Sequence, residues 1–162
     1  ASDVRPQVKE QVESLGGRFV EVKSDENFET AGGYARETSA EYKQKQQEAV
    51  AEQLAKTNFA VTTALIPGLP APRLITKAML SAMPAGAVVV DMASSAGGNV
   101  EGSEDGKTVV INGVTVIGNS NLAASLPASA SPLYAKNILN FLDTMYNKEE
   151  KSLNYNFEDE LI

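Results

Sequence analysis

The chain has 162 residues, with 14 lysines and arginines against 21 aspartates and glutamates, and it contains neither histidine nor cysteine. This length fits about one domain that can bury a core, and the net charge of −7 disfavours non-specific binding to nucleic acid or to an anionic membrane. The missing residue types exclude thiolate nucleophiles, zinc thiolate sites and serine–histidine triads.

The first segment of the chain predicts two helices separated by a short strand. Residues 6–14 place apolar side chains at helical spacing and are followed by two glycines, which favours a helix with a glycine cap. Residues 18–22 alternate polar and apolar side chains and predict a strand. Residues 39–56 are polar and strongly helix-forming, and Ser39 is a suitable N-cap for a surface helix.

Strands and helices alternate in the next segment. Residues 59–63 and 88–91 predict two buried strands, and residues 74–83 predict a short helix between them. Each strand is followed by a loop rich in small residues, TALIPGLPAP at 63–72 and AGGN at 96–99. In a parallel sheet such loops lie at the ligand-binding edge.

The last segment of the chain predicts a hairpin and a helix. Asn112-Gly113 separates two β runs within residues 108–117 and is typical of a tight hairpin. Residues 131–146 predict the final helix. The whole pattern predicts an α/β fold, a Rossmann-like doubly wound parallel sheet with its ligand at the carboxyl ends of the strands.

One element of that fold is not found in the sequence. Such a sheet normally opens with a strand, a G-x-G-x-x-G loop and a helix, followed by a second strand that ends in an acid. The chain has no such glycine pattern, and Ala1-Ser2-Asp3 is typical of the end of that second strand. We therefore expect the chain to begin inside a domain and to lack the first βα unit of the sheet.

Several motifs follow one another in the order seen in one family: DVRPQVKEQVESLGGRF, TAGGYARE, VTTALIPGLPAPRLIT, VVVDMASSAGGN, GVTVIG and SPLYAKNILNFL. On these the chain resembles the NAD(H)-binding domain of proton-translocating nicotinamide nucleotide transhydrogenase, a family related to alanine dehydrogenase. The resemblance covers nearly the whole chain. It implies that NAD(H) is the cofactor, and that hydride passes to or from NADP(H) held on a partner domain, coupled to proton movement through a membrane domain.

The resemblance also implies an organisation. Residues 1–146 would form a partial NAD(H)-binding domain, and residues 147–162 an extension that packs on the missing first subdomain. The partners would be the NADP(H)-binding and membrane domains and a second NAD(H)-binding domain in a homodimer. The chain would then be a peripheral soluble domain at the cytoplasmic or mitochondrial-matrix face of the inner membrane.

Asp3 is the first candidate site residue. An acid at this place can accept hydrogen bonds from the ribose hydroxyls of adenosine and repel a 2′-phosphate, which selects NAD over NADP. Its alternative role is that of a helix N-cap. By the resemblance, Val4 and Arg5 would line the adenosine side of the site.

Gly33 and Tyr34 are candidates for a lid. Tyr34 follows two glycines and has no helical or strand pattern to bury it. The resemblance implies a mobile loop that folds over bound nucleotide and excludes water. The alternative is a tyrosine packed locally against Phe28.

Thr63, Ala64 and Leu65 end the strand predicted at 59–63. Small side chains there would let backbone amides and carbonyls approach a ligand, and by the resemblance these residues flank the nucleotide. The AGGN loop would approach the nicotinamide or a partner domain, although glycine pairs are also common in simple turns.

Two departures from the family pattern leave alternatives open. Ser95 stands where the family usually has an acid, and residues 119–125 read NSNLAAS in place of Y-T-D/N-L-P-S-R. The chain could instead belong to an alanine dehydrogenase-like enzyme, although that enzyme lacks the GGYA lid. It could also be a non-catalytic half-domain that binds a partner chain and no nucleotide.

Overall fold

The computed structural model describes residues 1–5, 7–22, 39–66, 68–159 and 161. Its elements in chain order are α1 (Gln7–Ser14), α2 (Ala40–Leu54), β1 (Phe59–Thr62), α3 (Lys77–Ala82), β2 (Val88–Asp91), a 3₁₀ turn (Ser94–Ala96), β3 (Lys107–Ile111), β4 (Val114–Gly118), α4 (Leu122–Ser125), α5 (Pro127–Met145), β5 (Tyr146–Asn147) and β6 (Ser152–Leu153). The chain divides into two compact units, Ala1–Ser120 and Asn121–Ile162. The boundary between these units lies earlier in the chain than the domain boundary expected after residue 146. The units are defined by compactness, and the expected assignment of domains stays a prediction.

The first unit contains a four-stranded sheet in the order β1-β2-β4-β3. Strands β1, β2 and β4 are parallel, and β3 joins β4 as the antiparallel arm of a hairpin. Asn112 and Gly113 make the hairpin turn with φ of 51° and 80°, the left-handed values that a two-residue type I′ turn requires. The predicted hairpin and the predicted α/β class with a mainly parallel sheet are confirmed.

The core lies between one face of this sheet and the helices α2 and α3. Val89 and Val116 from the sheet pack with Leu54 of α2 and with Met79 and Leu80 of α3. Each fully buried side chain of this size contributes about 1.5–3 kcal/mol through the hydrophobic effect. Burial of this face fixes the register of the strands and so the position of the loops that follow them.

The opposite face of β1 is open among the described residues. Phe59 and Val61 are 62% and 49% exposed, whereas the alternate residue Thr62 is buried. The prediction of a buried strand is therefore wrong for half of β1. The physical reason is that Phe59 and Val61 lie on the face of β1 turned away from the core, since Ala60 on the other face packs against that core, and the described residues leave the outer face largely uncovered.

Helix α3 begins at Lys77, three residues later than predicted. The backbone amides of Leu74 and Ile75 donate instead to the Asn99 carbonyl, at 2.8 and 3.0 Å. Thr76 then caps the helix, with its hydroxyl accepting from the Met79 amide at 3.2 Å. The predicted N-cap of α2 is confirmed, since the Ser39 hydroxyl accepts from the Tyr42 amide.

The strand predicted at 18–22 is not formed, and α1 ends before Gly16, whose φ is 76°. One parallel-type pair remains in its place. The Ala1 amino group donates to the Arg18 carbonyl at 2.6 Å, and the Val20 amide donates to the Ala1 carbonyl at 2.7 Å. A single pair on either side of Phe19 is too short to count as a strand.

The second unit consists of α4, α5 and the β5–β6 hairpin. Helix α5 begins at Pro127, four residues earlier than predicted, because proline suits the first turn of a helix. Met145 at its end is the one buried apolar residue of this unit among those described. None of the described helices has the length and apolar character needed to cross a membrane.

Candidate functional site

The candidate site lies where β1 and β2 end. Because the two strands are parallel and paired in register, with Thr62 opposite Asp91, the loops that follow them leave the same edge of the sheet. In open α/β sheets this edge is where ligands bind. Two buried polar side chains, Asp91 and Asn99, organise these loops.

Asp91 is completely buried and binds the loop that follows its own strand. Its carboxylate accepts hydrogen bonds from the amides of Ala93, Asn99 and Val100 at 3.0–3.2 Å and from the Thr62 hydroxyl at 3.3 Å. A buried carboxylate needs such donors to offset the loss of water. Asp91 is therefore a structural anchor of the edge, and sequence analysis missed it.

Gly98 makes the close approach of this loop to Asp91 possible. Its φ is 79°, and a Cβ atom at this position would lie 2.6 Å from an Asp91 carboxylate oxygen. Only glycine satisfies both conditions. The glycine pair of the AGGN motif thus has a structural reason within the chain.

Asn99 joins the two loops. It is completely buried, its Nδ2 donates to the carbonyls of Ala64 and Pro72 at 2.9 and 2.8 Å, and its Oδ1 accepts from the Ala64 amide at 3.0 Å. The amide of Ala64 is therefore engaged within the chain, and the expectation that Ala64 flanks a nucleotide stays a prediction. Thr63 and Leu65 on either side are exposed.

Asp3 forms a bidentate ion pair with Arg5. The Asp3 carboxylate accepts from the Arg5 amide, from Nε and from a terminal guanidinium nitrogen at 2.9–3.0 Å. Burial opposes ionisation of Asp3, but the hydrogen bonds and the charge of Arg5 outweigh it and lower the pKa of the carboxyl. Because α1 begins at Gln7, Asp3 does not occupy the position before the helix that an N-cap requires.

Tyr42 on α2 lies near this pair. Its side chain is buried, and burial, followed by the negative charge of Asp3, raises the pKa of the phenol. Arg5 and Val4 are partly exposed beside Asp3. Gly33 and Tyr34, the residues of the expected lid, lie outside the described residues.

Asp105 connects the loop that follows β2 with the loop that follows β4. Its Oδ1 accepts from the hydroxyls of Ser94 and Ser120 at 2.6 and 2.8 Å, and these hydrogen bonds, that of Ser94 first, lower its pKa. Sequence analysis missed Asp91, Asn99 and Asp105. Of these three residues, only Asp91 has a usable signal in the sequence, because it is an acid at the end of a β-branched run that is followed by a loop with two glycines.

The described residues contain no cluster of histidine, cysteine, aspartate or glutamate that could hold a metal ion. Two features of the described residues suit a ligand: the partly exposed carboxylate of Asp3, and the loop after β1, in which Ala64 is held by Asn99 between the exposed residues Thr63 and Leu65. A carboxylate that keeps an accepting lone pair fits the two hydroxyls of a ribose.

Residues 1–162 match the family described as "Alanine dehydrogenase/PNT, C-terminal domain". An NAD(P) transhydrogenase alpha-subunit protein of Rhodospirillum rubrum is 51% identical over 164 residues, covering the whole chain and 43% of that protein. The protein of the same name from Rickettsia prowazekii is 46% identical over 160 residues, covering 99% of the chain and 41% of that protein.

Solved structures agree with these relatives. The transhydrogenase from Sinorhizobium meliloti superposes with a TM-score of 0.74 at 48% identity, covering 99% of the chain and 41% of that structure. An L-alanine dehydrogenase with 23% identity and a TM-score of 0.53, over 81% of the chain and 32% of that structure, shares the fold. The chain thus spans less than half the length of the relatives it matches. On this evidence the chain belongs to the alanine dehydrogenase/PNT C-terminal domain family.

Proposed function

We propose that this chain is the NAD(H)-binding portion of a transhydrogenase that transfers hydride between NAD(H) and NADP(H), coupled to proton translocation. The observation that carries the proposal is the 51% identity across the whole chain to a transhydrogenase alpha subunit. The alanine dehydrogenase of Lysinibacillus sphaericus is 30% identical over 63% of the chain. The higher and longer identity favours the transhydrogenase over the alanine dehydrogenase.

The adenosine half of NAD(H) would lie against Asp3, Val4 and Arg5. Each carboxylate oxygen can accept more than one hydrogen bond, so Oδ2 of Asp3, which accepts from a guanidinium nitrogen of Arg5 at 2.9 Å, keeps accepting capacity. Its lowered pKa keeps it charged at neutral pH, so that it can accept ribose hydroxyls and repel a 2′-phosphate. The Arg5 ion pair would hold the carboxylate in one orientation for this purpose.

The other side of the nucleotide would lie against Thr63, Ala64 and Leu65, with Gly33 and Tyr34 closing over it. Bound NADH would supply the hydride and bound NAD⁺ would accept it, and this chain's residues would bind and orient the cofactor. The proposed partners are an NADP(H)-binding domain, a membrane domain and a second copy of the NAD(H)-binding domain in a homodimer. The chain would lie at the cytoplasmic or matrix face of the inner membrane.

Two measurements on the full natural polypeptide that carries this sequence test the proposal. Fluorescence titration should show saturable NADH binding and much weaker binding of NADPH. After addition of an NADP(H)-binding domain, NADPH deuterated at C4 should transfer deuterium directly to NAD⁺, as read by mass spectrometry. Deuterium recovered in solvent, or no transfer at all, would contradict direct hydride transfer.

The same preparation separates the two alternatives. An alanine dehydrogenase-like enzyme would oxidise NADH in the presence of pyruvate and ammonium without any NADP(H)-binding domain. A non-catalytic partner-binding domain would give no fluorescence response to NADH. Either result would replace the proposed function.

A further inference from the structure

The loop that follows β1 is held by a side chain from the loop that follows β2. Both backbone groups of Ala64 are bonded to the carboxamide of Asn99, the amide to Oδ1 at 3.0 Å and the carbonyl to Nδ2 at 2.9 Å. Ala64 lies in irregular structure after β1 ends at Thr62. The Asn99 side chain therefore makes the two hydrogen bonds to the Ala64 backbone that a neighbouring strand would otherwise make.

Asn99 has little capacity left for a ligand. The second Nδ2 proton goes to the Pro72 carbonyl at 2.8 Å, so that both donors are used, and the residue is completely buried. Its own backbone amide donates to Asp91, and its carbonyl accepts from Leu74 and Ile75. Any effect of Asn99 on ligand binding must therefore pass through the residues it bonds.

No other side chain of this size reproduces the arrangement. Aspartate keeps the acceptor for the Ala64 amide but loses both donors and places a charge against two carbonyls. Alanine loses all three hydrogen bonds. A fully satisfied buried network holds one conformation, whereas a partly satisfied one does not.

We propose that Asn99 is a positioning residue that sets the NAD(H)-binding conformation of Thr63, Ala64 and Leu65. The inference rests on the proposed function, because it assumes that this loop flanks the nucleotide. Asn99 acts without touching the cofactor. Asp91 and Gly98 position Asn99 beside Ala64. The Asp91 carboxylate accepts a hydrogen bond from the Asn99 amide, and Gly98 allows the loop to pass close to that carboxylate.

The test compares Asn99→Ala with Thr62→Val in the full natural polypeptide. Thr62 belongs to the same buried network, since its hydroxyl bonds Asp91 at 3.3 Å, but it makes no side-chain bond to Ala64. Asn99→Ala should weaken NADH binding about 10-fold or more, by analogy with the loss of affinity when a group that orients a metal ligand is removed. Thr62→Val should stay within about 2-fold of the wild type.

Amide hydrogen exchange distinguishes loss of the Asn99 contact from general destabilisation, because general destabilisation would not speed exchange at the Ala64 amide selectively. In Asn99→Ala the Ala64 amide should exchange faster relative to the Met92 amide, which donates to the Thr62 carbonyl at 2.9 Å at the end of β1. In Thr62→Val the ratio of the two exchange rates should not change. Exchange at Ala64 thus reports on the Asn99 contact alone.

The near-isosteric variant Asn99→Asp covers the case in which Asn99→Ala does not fold. It should also weaken NADH binding about 10-fold or more. Wild-type NADH affinity in a folded Asn99 variant, or an equal loss in Thr62→Val, would overturn the inference while leaving the proposed function intact. Failure of the wild type to bind NADH would overturn the proposed function and the inference with it.

Discussion

Asp91 ends strand β2 and Asp3 is expected from the sequence to follow a strand, but the carboxylates of the two aspartates are bonded differently. Asp91 is 0% exposed, and its carboxylate is covered by three backbone amides and a hydroxyl. The side chain of Asp3 is 26% exposed and takes its side-chain donors from Arg5. An acid in this position is a candidate for ligand binding only where the fold leaves one of its oxygens accessible.

The same comparison holds for the two loops. The loop after β2 is organised by the carboxylate of its own strand, whereas the loop after β1 depends on Asn99 from the other loop. We therefore expect changes at Asp91 to affect folding first and changes at Asp3 to affect cofactor choice first. The predictions below test this separation.

The largest effect should come from Asp91→Ala. It leaves the amides of Ala93, Asn99 and Val100 buried without this acceptor, and each such group costs about 1–3 kcal/mol. We expect the free energy of unfolding, measured by urea denaturation, to fall by about 3 kcal/mol or more. Asp91→Asn keeps one accepting oxygen and should cost less, so equal losses in the two variants would contradict the anchoring role.

Gly98→Ala should be the next most destabilising change. It forces alanine to a φ of 79° and places its Cβ against Asp91, so we expect a loss of about 2–3 kcal/mol. Gly97→Ala is the matched control, because its φ is 95° but open space surrounds the added Cβ. Thermal unfolding should rank Gly98→Ala clearly below Gly97→Ala, and the opposite order would refute the close approach.

Asp3→Asn should change cofactor choice more than stability. If Asp3 accepts the ribose hydroxyls, NADH affinity should fall roughly 10-fold, the loss typical of a hydrogen bond to a charged group. NADPH affinity should not fall, since repulsion of the 2′-phosphate is removed. Titration of both nucleotides gives the ratio, and Asp91→Asn should leave that ratio unchanged.

Arg5→Ala should have the smallest effect on stability. Burial then acts on Asp3 without the opposing ion pair, and its pKa should rise, as measured by NMR titration of the carboxyl carbon. Because the folded-state pKa is lowered, the pair stabilises the protein above the unfolded pKa of about 4, and this is lost as pH falls through the folded value. The side chains of Asp3 and Arg5 are 26% and 37% exposed, so we expect the free energy of unfolding to fall by less than about 1 kcal/mol.

Lys9→Ala is the control for this titration. Lys9 pairs with Glu21 at 2.8 Å and makes no bond to Asp3. The pKa of Asp3 should therefore be unaffected. An unchanged pKa in Arg5→Ala would instead show that the ion pair does not control Asp3.

Local signals in the sequence predicted most of the fold. Ser39 as an N-cap and Asn112-Gly113 as a hairpin turn depend on a few neighbouring residues, and both are confirmed. The exposure of Phe59 was missed because it depends on whether another element covers that face of the sheet, which is a property of the whole fold. The start of α3 was missed because Asn99, far along the chain, takes the amides of Leu74 and Ile75.

The candidate site shows the same division. Asp3 and the loop at 63–65 could be selected from motifs, because small residues and an acid at strand ends are visible in sequence. The carboxamide of Asn99 could not be assigned, since its partners Ala64 and Pro72 lie 35 and 27 positions away. A side chain that bonds distant backbone groups leaves no periodic pattern.

The open face of β1 has a consequence for handling the protein. Phe59 and Val61 are exposed on β1, whose outer edge has no paired strand among the described residues. Edge strands of this kind tend to associate with other chains. The net charge of −7 opposes this by mutual repulsion. Added salt screens that repulsion, so clustering of molecules in solution should increase with ionic strength.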